Sequence, residues 1–170
     1  ICILPFEKDY YAKWNYQVDY VGHPLVEAID SFKPTPGFIT KHVLNEKPII
    51  AILPGSRKQE IQKILPVLVA VQKHFPSYQF VIGATSNFPA DFYKSVAGTE
   101  DIKLVFDETY DLLTHARAGL IASGTATLET ALFGIPLIVV YSTTSVTYHI
   151  SKRFIKIKFI TNLEILPFPS

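Results

Sequence analysis

Hydrophobic residues in this chain fall into short continuous runs, separated by longer stretches in which they recur every three or four positions. The alternation is most regular from residue 48 onward. Residues 48–53 form an unbroken apolar run of the kind that a parallel sheet buries on both faces. Residues 58–75 then carry Ile61, Ile64, Leu65, Leu68, Val69 and Val71 at close to helical spacing. The same two patterns repeat, predicting strands at 78–83, 102–106, 119–122 and 136–141 and helices at 91–96, 110–116 and 127–133, the last stopped by Gly134. Strand and helix in alternation predict an α/β fold built on a doubly wound parallel sheet of the Rossmann type.

Ahead of residue 48 the pattern is looser. Residues 1–5 read as a buried strand ending at Pro5, and a short helix with an acidic first turn begins at Phe6. Residues 18–22 read as a second short strand, and Pro24 falls just inside the start of a helix. His23, between them, is a capping or loop histidine on the reading its surroundings favour, and a ligand-facing residue on the other. The polar stretch 31–47, with Pro34, Pro36 and Gly37, reads as a linker, and the domain boundary is placed there, between residues 1–45 and 46–170. Past residue 141 the character changes again. Residues 148–160 mix bulky apolar side chains with cations and contain no acid. They read either as an edge helix and strand with lysines outward or as a surface that docks on anionic membrane. Together with the unpaired sheet edge, they also offer a face for pairing with a second copy.

Two polar turns carry the candidate chemistry. Ser123-Gly124-Thr125 lies between an apolar run and a helix start, with Glu129 about one turn further on. The hydroxyls of Ser123 and Thr125 can cap free N–H groups, and Gly124 lets the backbone come close to a ligand. Such a helix opening favours a phosphate or pyrophosphate, and Glu129 beside it suits a hydroxyl, for instance of a ribose. The plainer alternative is a turn that only caps its helix. The second turn, Pro54-Gly55-Ser56-Arg57, also follows a strand, so both turns belong on the carboxyl edge of the sheet, where they can converge on one ligand. Arg57 offers a planar, permanently charged fork to phosphate oxygens, and Gly55 and Ser56 open the following helix. Its other reading is a solvated cation paired with Glu60.

Composition narrows the field. With 48% apolar residues, 170 residues suffice for one packed domain and part of another. The chain contains no methionine and opens on an apolar run, so it is expected to be a piece of a longer protein. A net charge of +1 argues against a nucleic-acid partner. The one cysteine, Cys2, sits between isoleucines as a buried thiol would, and it leaves no internal disulfide or cysteine-rich zinc site. No apolar run reaches membrane-spanning length. Histidine pairs at metal-ligand spacing, the Gly-x-Ser-x-Gly elbow, the Walker pattern and Gly-x-Gly-x-x-Gly are all missing from the sequence, which lowers the hydrolase, ATPase and dehydrogenase readings together.

The ordered set Ile3-Leu4-Pro5-Phe6-Glu7, Tyr20-Val21-Gly22-His23-Pro24, Leu53-Pro54-Gly55-Ser56-Arg57 with Glu60, and Ser123-Gly124-Thr125-Ala126-Thr127-Leu128-Glu129 resembles the lipid-A-disaccharide synthases over residues 1–140. The resemblance implies a bacterial glycosyltransferase of the two-domain B type, of which this chain holds the end of the amino-terminal domain and most of the UDP-sugar-binding domain. Its substrates would be UDP-2,3-diacylglucosamine and 2,3-diacylglucosamine 1-phosphate, with UDP released. Carried over residue by residue, it implies that Gly55, Ser56, Arg57, Ser123, Gly124 and Thr125 hold the UDP diphosphate, Arg57 stabilises the leaving group, and Glu129 holds the ribose. No cofactor is expected, the sequence shows no metal-ligand cluster and so favours a metal-independent mechanism, and no general base is assigned. The acylated substrates imply a bacterial cytoplasmic enzyme peripheral to the inner membrane. Another UDP-sugar enzyme of the same fold, a muramyl-lipid transferase or a UDP-sugar 2-epimerase, remains open here, as does a non-catalytic nucleotide-binding or interaction module.

Overall fold

The computed structural model describes residues 1–141. In chain order they form α1 (Pro5–Ala12), α2 (Pro24–Asp30), α3 (Phe38–Lys41), β1 (Ile49–Leu53), α4 (Lys58–Ala70), β2 (Gln79–Ala84), α5 (Ala90–Ala97), β3 (Lys103–Phe106), α6 (Thr109–His115), β4 (Ala116–Ala122), α7 (Thr125–Leu132) and β5 (Leu137–Val140). A short 3-10 turn, Gln72–His74, follows α4, so the helix predicted over 58–75 ends in two pieces. The basic stretch 148–160 and the residues after it lie outside the described residues.

All pairings in the sheet are parallel, and the strand order is β3-β2-β1-β4-β5. The chain therefore walks outward from β1 to β3, crosses back, and continues from the other side of β1. That reversal is the doubly wound arrangement expected from the alternating pattern. β1 is central and buried throughout, which is why its sequence shows no polar positions.

Successive residues of β1 point to opposite faces, and each face has its own core. Ile50 and Ile52, with Phe80 and Ile82 of β2, pack against Ile61, Ile64, Leu65 and Leu68 of α4 and Tyr93 of α5. Ile49, Ala51 and Leu53, with Val81 and Val105, pack against Leu112 and Leu113 of α6 and Phe38 of α3. Full burial of each such aliphatic side chain contributes about 1.5–3 kcal/mol. The buried Tyr93 hydroxyl is not orphaned: it accepts the Thr85 N–H at 2.9 Å. On the α7 side, Gly119 brings helix and sheet close, since a Cβ there would stand 3.2 Å from Thr130 Cγ2.

The amino-terminal part departs from the pattern. Residues 1–5 are not a strand; only Cys2 bridges, to Tyr20, while Ile1 is 87% and Ile3 38% exposed. The cause is Glu7, whose carboxylate accepts the N–H groups of Ile3 and Leu4 at 3.0 and 2.7 Å and so commits them to the start of α1. Residues 18–22 likewise hold that single bridge at Tyr20. Cys2 is buried, as its apolar neighbours indicated.

Residues 31–47 run along the sheet rather than free of it. Gly37, at a φ of +77°, turns the chain into α3, and Phe38 enters the core at 1% exposure. The His115 ring stacks on Phe38 at 5.2 Å, and His42 lies on it at 4.7 Å. Asp111, buried on α6, accepts both the backbone N–H and the hydroxyl of Thr35, at 2.6 and 3.0 Å.

Candidate functional site

The strand order decides where the two polar turns lie. β1 and β4 are neighbours, with Leu53 in register with Ile121, so the residues following them leave the sheet side by side at its carboxyl end. This is the point at which the winding reverses, the place where open parallel sheets leave a crevice for ligands. Gly55, Ser56 and Arg57 come to it from β1, and Ser123, Gly124 and Thr125 from β4.

Gly55 has a φ of +100°, a conformation that L side chains rarely adopt. A Cβ there would also overlap the Glu60 carboxylate, which folds back over the turn and accepts the Ser56 N–H at 3.3 Å. Glu60 thus serves the turn and not Arg57. Arg57 caps α4 in an extended conformation, is exposed, and forms no ion pair among the described residues.

The second turn caps itself differently from the sequence expectation. Neither Ser123 nor Thr125 lends its hydroxyl to the helix end. Instead the Thr127 hydroxyl accepts the Gly124 N–H at 3.4 Å, and the Thr127 N–H donates to the Gly124 carbonyl at 3.0 Å. That exchange starts α7 at Thr125, two residues before the predicted start at 127. Ser123 is anchored by its backbone N–H, which donates to the Val140 carbonyl at 2.8 Å. Gly124 is extended at a φ of 165°, which any residue could adopt, and a Cβ built there meets nothing within 4 Å. The space over Gly124 is open to whatever approaches the first turn of α7.

Glu129 leaves the turn and faces an open cavity of about 350 Å³ lined by Phe32, Asp107, Glu108, Thr109, Tyr110, Asp111 and Glu129. Its Oε1 accepts the Tyr110 hydroxyl at 3.0 Å. Partial burial, then this hydrogen bond, then the negative charge of Glu129 push the Tyr110 phenol above the ordinary tyrosine range. The other acids of the cavity are engaged elsewhere. Glu108 pairs with Lys41 at 2.8 Å and His42 at 3.2 Å, Asp107 accepts the Ser86 N–H at 3.2 Å, and Asp111 holds Thr35. Glu129 Oε2 and Asp107 Oδ2 are the carboxylate oxygens of this cavity without a hydrogen-bond partner among the described residues. Tyr110 was not picked out from the sequence; its place beside Glu129 on a neighbouring helix follows from packing between distant segments.

His23 takes the capping role: its Nδ1 accepts the Leu25 N–H at 3.2 Å at the start of α2. No group of three His, Cys, Asp or Glu side chains among the described residues is arranged to hold a metal ion. No described helix is long and apolar enough to cross a membrane.

Comparison with known proteins gives this geometry a context. The chain matches the family model described as lipid-A-disaccharide synthetase over residues 1–167. It is 35% identical over 168 residues to the lipid-A-disaccharide synthase of Coxiella burnetii (strain Dugway 5J108-111), covering 93% of this chain and 43% of that protein. It is 34% identical over 175 residues to the enzyme of the same name from Persephonella marina, covering 94% of this chain and 46% of that protein. The chain thus spans somewhat under half the length of these relatives. Among solved structures, UDP-GlcNAc 2-epimerase from Neisseria meningitidis, in complex with UDP-GlcNAc, superimposes with a TM-score of 0.56 at 16% identity, over 85% of this chain and 44% of that one, which speaks to the fold alone. The sheet is the one that UDP-sugar enzyme uses, and the family match runs through both turns to residue 167: this chain belongs to the lipid-A-disaccharide synthase family.

Proposed function

We propose that this chain is the donor-binding part of a lipid A glycosyltransferase, with residues 46–170 as the UDP-sugar-binding domain and residues 1–45 as the end of the amino-terminal domain. In the whole protein 2,3-diacylglucosamine passes from its UDP derivative to 2,3-diacylglucosamine 1-phosphate, and UDP is released. The observation that carries this reading is the placing of two phosphate-suited turns at the ends of adjacent strands, with an arginine on one that is unpaired among the described residues and open space over the glycine of the other.

Gly55, Ser56, Arg57, Ser123, Gly124 and Thr125 hold the diphosphate, and Glu129 receives a ribose hydroxyl. The acceptor's primary hydroxyl oxygen bonds to the anomeric carbon as the bond from that carbon to UDP breaks, inverting the centre. The electron pair of the broken bond leaves with UDP, and the hydroxyl proton goes to a base that no residue of this chain is assigned to supply. Arg57 and the amino-terminal end of α7 stabilise the charge that grows on the departing diphosphate. The acylated substrates place the reaction at the cytoplasmic face of the bacterial inner membrane, with residues 152–160 as the docking surface. Self-association at the β5 edge of the sheet formed by the described residues would show as a concentration-dependent mass in light scattering.

Calorimetric titration of the chain with UDP, with NAD as the comparison ligand, tests the reading. UDP binds, NAD does not, and Arg57→Ala weakens UDP by about tenfold or more, the size of a lost charge-assisted hydrogen bond. A folded chain that ignores UDP, or an Arg57→Ala chain that binds it unchanged, overturns the assignment.

A further inference from the structure

The Tyr110 ring is held from two sides. Phe32, just past α2, meets it edge-on at 5.4 Å and 90°, and Phe133, at the end of α7, meets it at 5.4 Å and 62°. Phe32 and Phe133 also touch each other, at 6.2 Å. Two separate segments thus hold a phenol carried by a third, and its hydroxyl is aimed at Glu129 Oε1. A glutamate on a helix otherwise turns freely about its side-chain bonds, and ordering it on binding would cost affinity. With Oε1 held, Oε2 has no hydrogen-bond partner among the described residues, Glu129 lines the open cavity, and the phenolic oxygen keeps an acceptor lone pair of its own.

We propose that Tyr110 is a positioning residue for the donor nucleotide: it fixes the Glu129 carboxylate so that the carboxylate, with the phenolic oxygen beside it, takes the hydroxyls of the ribose. The inference rests on the assignment of Glu129 to the ribose. It makes recognition of the sugar edge depend on a residue of α6, a helix that contributes nothing to the diphosphate turns. Phe32 and Phe133 give Tyr110→Phe a ring to pack against, so the substitution removes the hydroxyl and leaves the aromatic cluster filled.

The test compares UDP with 2′,3′-dideoxy-UDP, by calorimetry on the full chain, in the unsubstituted protein, Tyr110→Phe and Glu129→Gln. The unsubstituted chain prefers UDP by about tenfold or more, and Glu129→Gln loses most of that preference. Tyr110→Phe reduces the preference to within about threefold while leaving affinity for the dideoxy nucleotide unchanged. If Glu129→Gln loses the preference and Tyr110→Phe keeps it, Tyr110 only packs and the proposal falls while the ribose assignment stands. If Tyr110→Phe weakens both nucleotides equally, its role is structural and the proposal falls as well. A chain that never distinguishes the two nucleotides, or a Glu129→Gln chain that still does, removes the ribose assignment itself.

Discussion

Gly55→Ala tests the geometry of the first turn most directly. Two costs are separable. The backbone sits at a φ of +100°, beyond the left-handed well near about +57°, so an alanine there costs about 2 kcal/mol, the upper end of the usual left-handed penalty. The new methyl group also overlaps the Glu60 carboxylate. Glu60 is flexible and can swing away, but in doing so it gives up the Ser56 N–H at 3.3 Å, an exposed bond that contributes about 0.5–1 kcal/mol. The sum is about 2.5–3 kcal/mol, a melting point lower by roughly 5–12 °C for a chain of this size. A double-mutant cycle separates the parts. In a Glu60→Ala background the hydrogen bond is already gone, so adding Gly55→Ala costs about 2 kcal/mol, and the coupling is about 0.5–1 kcal/mol. Urea unfolding of the four proteins measures it. A Gly55→Ala chain within about 0.5 kcal/mol of the parent, or costs that add in full, would refute the account of the turn.

Two further outcomes follow from packing and charge. Phe38→Ala should cost about 3–5 kcal/mol in urea unfolding, because the ring is fully enclosed between α3, α6 and the sheet and its loss leaves a cavity; a loss under about 1 kcal/mol would mean that residues 31–47 are not fastened to the sheet. For Tyr110, a raised folded value means that the fold favours the protonated phenol. Its contribution to stability is fully present below the unfolded tyrosine value of about 10 and is lost as pH rises through the folded value, so stability is flat through neutrality and falls in alkali. Ultraviolet titration of the phenolate should show Glu129→Gln lowering the Tyr110 transition without bringing it fully back, since burial remains. A transition unmoved by that substitution would break the link between the two side chains.

The sheet was legible because its strands leave no choice. A run such as 48–53, with nothing polar in it, suits a position covered on both faces, and five short, mostly apolar runs separated by helical spacing leave few topologies. The placement of both turns on the carboxyl edge followed from the same logic, whereas the adjacency of β1 and β4 needed the strand order. Other features were hidden for physical reasons. Residues 1–5 are as apolar as a strand, yet one carboxylate, Glu7, captures two of their N–H groups for a helix. Phe38 is a lone aromatic in a polar, proline-bearing stretch, and no periodicity marks it as buried. The cap of α7 comes from Thr127 and not from the more obvious Ser123 or Thr125, a choice made by rotamers rather than residue type. Tyr110 and Glu129 lie on different helices, so only the packed fold makes them partners.

The central place of β1 also orders events in time. One of its edges is closed early by β2, which follows after a single helix; the other stays open until β4, so that Leu53 waits for Ile121. Closing so long a loop is the slow kind of step in folding. The crevice has one wall until that moment, so the proposed nucleotide site is complete only once the sheet is. A chain halted after Phe106 on the ribosome would carry the bare edge of β1 within an apolar surface, open to any strand within reach.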